Sequence, residues 1–279
     1  MKLGLIGVTV SRVLEAQGVE DSTDLGRIFE AAHTLGARSL ELGLGRREAA
    51  AFVDQVGAAR EKFGMTVELG FGLSVDDTER GAERFAEFCE TVCRPLGVRV
   101  VGTVSPFHGG RWLRNPPLDE QLERVTAALA ALAPHAERAG VHVAIENHAD
   151  YRCAELAAVV ARVGSPAIGV KLDTGNTYCA IEEPMTAAQA VARLTVATHI
   201  KDQIVEAEPG NRGVKPGGLL ALADCPLGAG HVDVVGIVDL LAKDGPLGDD
   251  LVLTLEVMPQ YLEESLRFAR RALAPYLSD

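Results

Sequence analysis

From end to end the chain alternates between short apolar runs and longer segments whose apolar residues recur at helical spacing. Runs of four to six aliphatic residues read as strands buried on both faces, and longer windows with a period near 3.6 read as helices packed over them. Leu3 to Val8 is the first such run, and Asp24 is a natural N-cap for a helix over 25–35. Strand and helix then pair at 39–42 with 46–63, 65–69 with 75–93, 98–103 with 118–139, and 141–146 with 153–163. The pattern closes with 168–173 and 185–194, 196–201 and 233–243, and 251–256 and 262–276. Eight strand-helix units in a chain of 279 residues predict an α/β protein, a single (β/α)₈ TIM barrel over 1–279, whose usual length is ~250 residues. An open doubly wound sheet is the alternative, but Gly4 and Gly7 do not make the GxGxxG turn that dinucleotide-binding sheets carry after their first strand. Two connections stand out. One, after 98–103, holds Phe107, His108, Arg111 and Trp112; the other, 203–227, is rich in Gly and Pro, holds Arg212 and Lys215, and is too long for an ordinary connection. Long loops in compact domains tend to be functional, so 203–227 reads as a specificity lid or an oligomer contact.

Composition narrows the partners. A formal charge of −12 repels a phosphate backbone and makes nucleic acid a poor partner. The apolar start, Leu3 to Val10, has no basic segment before it and falls far below the ~20 residues that span a bilayer, so a cytoplasmic protein without a membrane partner is expected. The five cysteines are an odd number, and Cys89 and Cys93 are one helical turn apart rather than a CxxC pair, which suits reduced structural thiols.

Four of the apolar runs stop on a residue able to bind a metal: Glu146, Asp173, His199 and Glu256. In a (β/α)₈ barrel the C-terminal strand ends gather the chemistry, so these four converge above the mouth if the fold is right. Three carboxylates and an imidazole suit one divalent cation, with Mn²⁺, Co²⁺, Mg²⁺ and Zn²⁺ all compatible. A cation flanked by glutamates suggests proton abstraction beside a carbonyl, with the resulting enediolate charge stabilised electrostatically. Strand alternation puts Lys171 on the face of Asp173 and Lys201 on that of His199, to form a buried ion pair or to bind a substrate oxygen. Glu41 and Glu68 face the mouth by the same alternation, or serve as partners for arginine.

The segments Glu146-Asn147-His148, Leu172-Asp173-Thr-Gly-Asn176, His199-Ile-Lys201-Asp202 and Gly228-Ala-Gly230-His231-Val-Asp233 resemble the motifs of the xylose isomerase-like TIM barrels, the sugar phosphate isomerase/epimerase group with the type 2 AP endonuclease fold. The resemblance implies metal ligation by Glu146, Asp173, His199 and Glu256, with Glu146 and Glu256 as the acid/base pair. It implies a small sugar or polyol substrate and either an isomerase/epimerase or a lyase or dehydratase on the same scaffold. A non-catalytic sugar-binding barrel is a third reading, and a homo-oligomer is compatible with all three. Many ketose 3-epimerases carry histidine where this chain has Asn176 and arginine where it has Val205, so substrate anchoring differs from theirs. The candidate substrate contacts are His148, Asn176, Lys201 and His231, with Trp112 as an apolar wall and Arg212 in the long loop.

Overall fold

The structure is a computed structural model that describes residues 1–107, 109–113, 115–207 and 220–278. Strand β1 (Lys2–Ile6) turns directly into helix α1 (Gly7–Ala16). The sequence reading took the apolar run to Val8 and missed this helix, because Val8, Thr9 and Val10 look like strand residues. Tertiary packing overrides their β-propensity. A Cβ on Gly7 would lie 2.5 Å from Leu42 Cδ2 and 3.2 Å from the Glu41 carbonyl, so the chain turns there against its neighbour with no side chain in the way.

Helix α2 (Leu25–Thr34) starts where Asp24 accepts a hydrogen bond from Arg27 N–H, as expected of its N-cap. There follow β2 (Ser39–Gly43), α3 (Ala49–Phe63), β3 (Thr66–Gly70) and α4 (Thr78–Phe88). The helix anticipated over 75–93 passes at Cys89–Cys93 into a π-turn and ends with α5 (Arg94–Leu96). Next come β4 (Val100–Thr103), the short α6 (Gly110–Leu113), α7 (Leu118–Ala139), β5 (His142–Glu146), α8 (Cys153–Val163), β6 (Ile168–Asp173), α9 (Pro184–Val191) and β7 (Thr195–Ile200). The last barrel unit is preceded by an antiparallel hairpin, β8 (Gln203–Ala207) with β9 (Leu220–Asp224), and by α10 (Val234–Asp244). The long loop is therefore partly a β-ribbon. Its Gly/Pro-rich middle masked the alternation at both ends, and Arg212 and Lys215 lie outside the described residues. Strand β10 (Val252–Leu255) and α11 (Leu262–Ala272) complete the chain, the helix stopping before Pro275 rather than running on to Tyr276.

The eight long-range strands close in the order β1-β10-β7-β6-β5-β4-β3-β2, all parallel, which is a single (β/α)₈ barrel. Outward-facing Leu5, Leu40, Leu69, Ile145 and Leu172 pack under Phe29, Phe52, Phe85, Leu129 and Leu156 of the helical ring, all of them buried. Inside the barrel, low down, Val100, Ala144, Val196 and Ala197 form a small apolar plug. Register fixes what lies above it: Glu41 pairs with Glu68, Glu146 with Lys171, and Asp173 with His199. One layer higher, Gly43 pairs with Gly70 and Gly70 with Gly102, so three adjacent strands present no side chain to the mouth.

Candidate metal centre

Strand alternation and register bring Glu146, Asp173, His199 and Glu256 together, each offering a ligand atom within 4.8 Å of the others. His199 Nδ1 lies 2.9 Å from Glu256 Oε2, 3.4 Å from Glu146 Oε2 and 3.9 Å from Asp173 Oδ2. On its other side, His199 Nε2 is 2.8 Å from Glu41 Oε2 and 3.3 Å from Lys171 Nζ. A carboxylate behind an imidazole fixes the ring and points the opposite nitrogen at the cation, the usual outer-shell arrangement of metal-binding histidine. Lys171 in turn reaches Glu41 Oε1 at 2.7 Å, the buried ion pair anticipated for it, although the partner reached across the barrel is 130 residues away.

The remaining ligands are held as firmly. Asp173 Oδ1 accepts from the N–H groups of Gly175 (2.8 Å) and Asn176 (2.7 Å), leaving Oδ2 for the mouth. Asn147 clamps the backbone of the same residue, accepting from Asp173 N–H and donating to Asp173 C=O, both at 2.8 Å. The amide of Asn176 donates to Glu146 Oε1 at 3.3 Å. Lys201 Nζ stands 3.1 Å from Glu256 Oε1, 3.2 Å from Asp173 Oδ2 and 3.2 Å from Asn176 Oδ1.

Does this set fit a cation? Asp173 Oδ2, His199 Nδ1 and Glu256 Oε2 are buried and face one another, and apart from the approach of Lys201 Nζ to Asp173 Oδ2 no well-directed hydrogen bond from elsewhere in the chain satisfies them. Buried polar groups left under-satisfied cost roughly 1–3 kcal/mol each, so three that converge suit a common ligand. Charge points the same way. Ionised Glu41, Glu146, Asp173 and Glu256 against Lys171 and Lys201 leave two negative charges around a neutral imidazole, which one divalent cation balances. Without it, burial and the charges of Glu256 and Glu146 hold Asp173 at about 7 despite Lys201. His199 is held well above its usual value by Glu41 and Glu146 although burial opposes its charge. Burial alone would raise Glu256, but His199 and Lys201 hold it well below the usual carboxylate range. Glu41 is likewise held at about 2 by His199 and Lys171 against burial.

Other sequence candidates sit around this centre in different ways. His148 is half-buried beyond the end of β5. His231 is exposed, and its Nδ1 accepts from Val205 N–H at 3.1 Å, which ties it to the hairpin. Trp112 is exposed on α6, its indole N–H donating to Cys179 C=O at 3.2 Å. Arg212 and His108 lie outside the described residues. Glu68 is buried, and burial together with the charge of Glu41 pushes its carboxyl up to about 8. No arginine is paired with Glu41 or Glu68 among the described residues. Sequence reasoning missed the role of Asp202, whose carboxylate is 1% exposed and accepts four backbone N–H groups: Gln203 and Val232 on Oδ1, Gly228 and Gly230 on Oδ2. Its signal was the Gly228-Ala-Gly230 pair itself. A Cβ on Gly230 would fall 2.2 Å from Asp202 Oδ1, and Gly228, at φ +80°, sits against the Phe268 ring, so the glycines admit the backbone to Asp202.

Fold and site together define a (β/α)₈ barrel with a three-carboxylate, one-histidine cluster at the C-terminal ends of its strands. The chain belongs to the xylose isomerase-like TIM barrel family, whose model matches residues 29–272. A 3-oxo-isoapionate decarboxylase of Pectobacterium atrosepticum strain SCRI 1043 is 29% identical over 167 residues, which is 60% of this chain and only 55% of that relative. Among solved structures, the IolI protein with a bound zinc atom superposes with a TM-score of 0.69 at 18% identity, covering 100% of both chains. A D-psicose 3-epimerase crystallised in the presence of D-fructose does so with a TM-score of 0.68 at 17% identity, covering 98% of this chain and 99% of that one. At such identities the likeness is one of fold. No helix among the described residues is long and apolar enough to cross a membrane.

Proposed function

We propose that the protein is a divalent-metal-dependent enzyme acting on a keto-sugar or related polyol, moving a proton at the carbon beside a carbonyl through an enediolate. The observation that carries this reading is the convergence of Asp173 Oδ2, Glu146 Oε2 and Glu256 Oε2 within 3.9 Å of His199 Nδ1, three of these four atoms buried and under-satisfied by the rest of the chain. Glu146, Asp173, His199 and Glu256 would hold the ion, with manganese the favoured choice. A divalent cation bound there supplies Lewis-acid stabilisation of the charge that develops on the substrate oxygens.

The chain's own residues supply the rest. Glu146, at the end of β5, and Glu256, just past the end of β10, flank β6 and β7 and exchange the proton, one removing it and the other returning it. Lys201 spans Asp173 and Glu256 and offers its ammonium hydrogens to a substrate oxygen or to the carbanion site. Asn176 orients Glu146, and Glu41 fixes the ring of His199. With histidine absent at position 176, the substrate is anchored differently from that of a ketose 3-epimerase.

A second reading, a lyase, is favoured by the sequence match to a decarboxylase. Loss of CO₂ from a 3-oxo acid leaves the same kind of enolate, so the same residues would serve, with Lys201 or a glutamate returning a proton. Incubation of the Mn²⁺-loaded protein with a panel of ketoses and keto-acids in D₂O, followed by NMR and CO₂ detection, separates the two. Deuterium gained beside the carbonyl with the carbon count intact supports isomerisation or epimerisation; release of CO₂ or water supports the lyase. Glu146→Gln and Glu256→Gln should each abolish the exchange, and retention in both variants rejects the assignment.

A further inference from the structure

Beside the metal cluster a cavity of about 490 Å³ extends from Glu146 and Lys171 across the ends of β2, β3 and β4 to Arg84 on α4. Its floor is the bare glycine row. A Cβ added at Gly43, Gly70 or Gly72 would meet nothing within 4 Å, so the space above these residues is open. Phe71 and Phe88 line it, giving the cavity the apolar wall with a few polar groups that small-molecule sites have. One polar group at the far end of the cavity says what belongs in it. Arg84 stands over the Phe71 ring at 5.8 Å, and among the described residues it pairs with no carboxylate, in a chain carrying 39 acidic side chains. An exposed guanidinium without a carboxylate partner at the rim of this pocket suits an anionic group that is not part of the chain.

We propose that the substrate is a sugar acid: its reacting carbons lie at the metal cluster, its chain crosses the glycine row, and a carboxylate at its far end is received by Arg84. The inference rests on the metal-dependent reading above and specifies its substrate class. It also assigns Arg84 as a specificity residue, outside the proton-transfer machinery.

The test is calorimetric binding to the Mn²⁺-loaded protein, with D-ribonate and ribitol as probes that differ only in one terminal group. The wild-type protein should bind ribonate about tenfold more tightly than ribitol, the fold-change expected of one charge-assisted contact. In Arg84→Met the two affinities should become equal. In Gly70→Val, where the added side chain projects from the floor into the path of the ligand, both ligands should be lost, and Gly70→Ala should weaken them less. Thermal stability and Mn²⁺ affinity should match the wild type in all three variants. Equal binding of ribonate and ribitol by the wild type, failure of ribonate to bind the metal-loaded protein, or unaltered binding by Gly70→Val overturns the proposal. Retention of the ribonate preference in Arg84→Met also overturns it, since it would mean that the carboxylate sits on the metal. Failure of the wild type to bind Mn²⁺ would instead overturn the metal-dependent reading on which the proposal rests.

Discussion

Replacing Asp202 by Asn should unfold much of the loop behind the metal centre and weaken the whole barrel. The side chain is almost fully enclosed, and its two oxygens accept four backbone N–H groups at 2.9 to 3.0 Å, three of them from the Gly228–Val232 segment. An amide keeps one oxygen and sets an NH₂ group against the two N–H groups that the other oxygen had served. Each buried donor left without an acceptor costs roughly 1–3 kcal/mol, which puts the destabilisation at about 2–6 kcal/mol. That is a large part of an ordinary folding free energy of ~5–15 kcal/mol. At roughly 2–4 °C per kcal/mol for a protein near this size, the melting temperature should fall by on the order of 10 °C. Urea unfolding at fixed pH measures the loss, and amide hydrogen exchange at 228–232 locates it. A variant within ~0.5 kcal/mol of the wild type, with unchanged protection at those amides, would refute the account of Asp202 as the loop's anchor.

Three further outcomes follow from the same structure. In metal-free protein the carboxyl of Glu68, raised to about 8 chiefly by burial and then by Glu41, is protonated near neutrality, whereas in the unfolded chain it is ionised. Its contribution to stability is therefore full below about pH 4.5 and is lost as pH rises through about 8. Unfolding free energies of wild type and Glu68→Gln, compared at acidic and alkaline pH, should diverge by on the order of a few kcal/mol in favour of Gln at the alkaline end; a pH-independent difference would contradict this. Asn147→Ala removes both contacts to the Asp173 backbone and should weaken metal affinity by roughly 10–100-fold, read by titration with Mn²⁺, while an unchanged affinity would count against the clamp. Saturating the site with a divalent cation at ~100 times its dissociation constant should raise stability by about 2.7 kcal/mol, an increase that a chelator reverses and that Glu256→Gln largely forfeits.

Much of this architecture was legible in the residues. The short apolar runs and the helices between them carry the barrel, and helices 118–139 and 153–163 and strand 168–173 fall on the residues read from the pattern. The four ligand-type residues could be found because each ends an apolar run, and parallel register does the rest. What escaped depends on contacts between distant parts of the chain. Helix α1 hides in a β-branched stretch that only the close approach of Leu42 to Gly7 bends into a helix. The support of His199 by Glu41 joins residues 158 positions apart, and local sequence carries no sign of the pairing. The glycines of Gly228-Ala-Gly230 let the backbone approach Asp202 and Phe268, partners that lie far away in the sequence. The β8–β9 ribbon was obscured by the Gly and Pro content between its strands.

Gly43, Gly70 and Gly72 form a row of sockets in which side chains can be planted without disturbing a neighbour. The width of the mouth can thus be altered one methyl group at a time, for an engineer a dial separate from the carboxylate–histidine cluster beneath it.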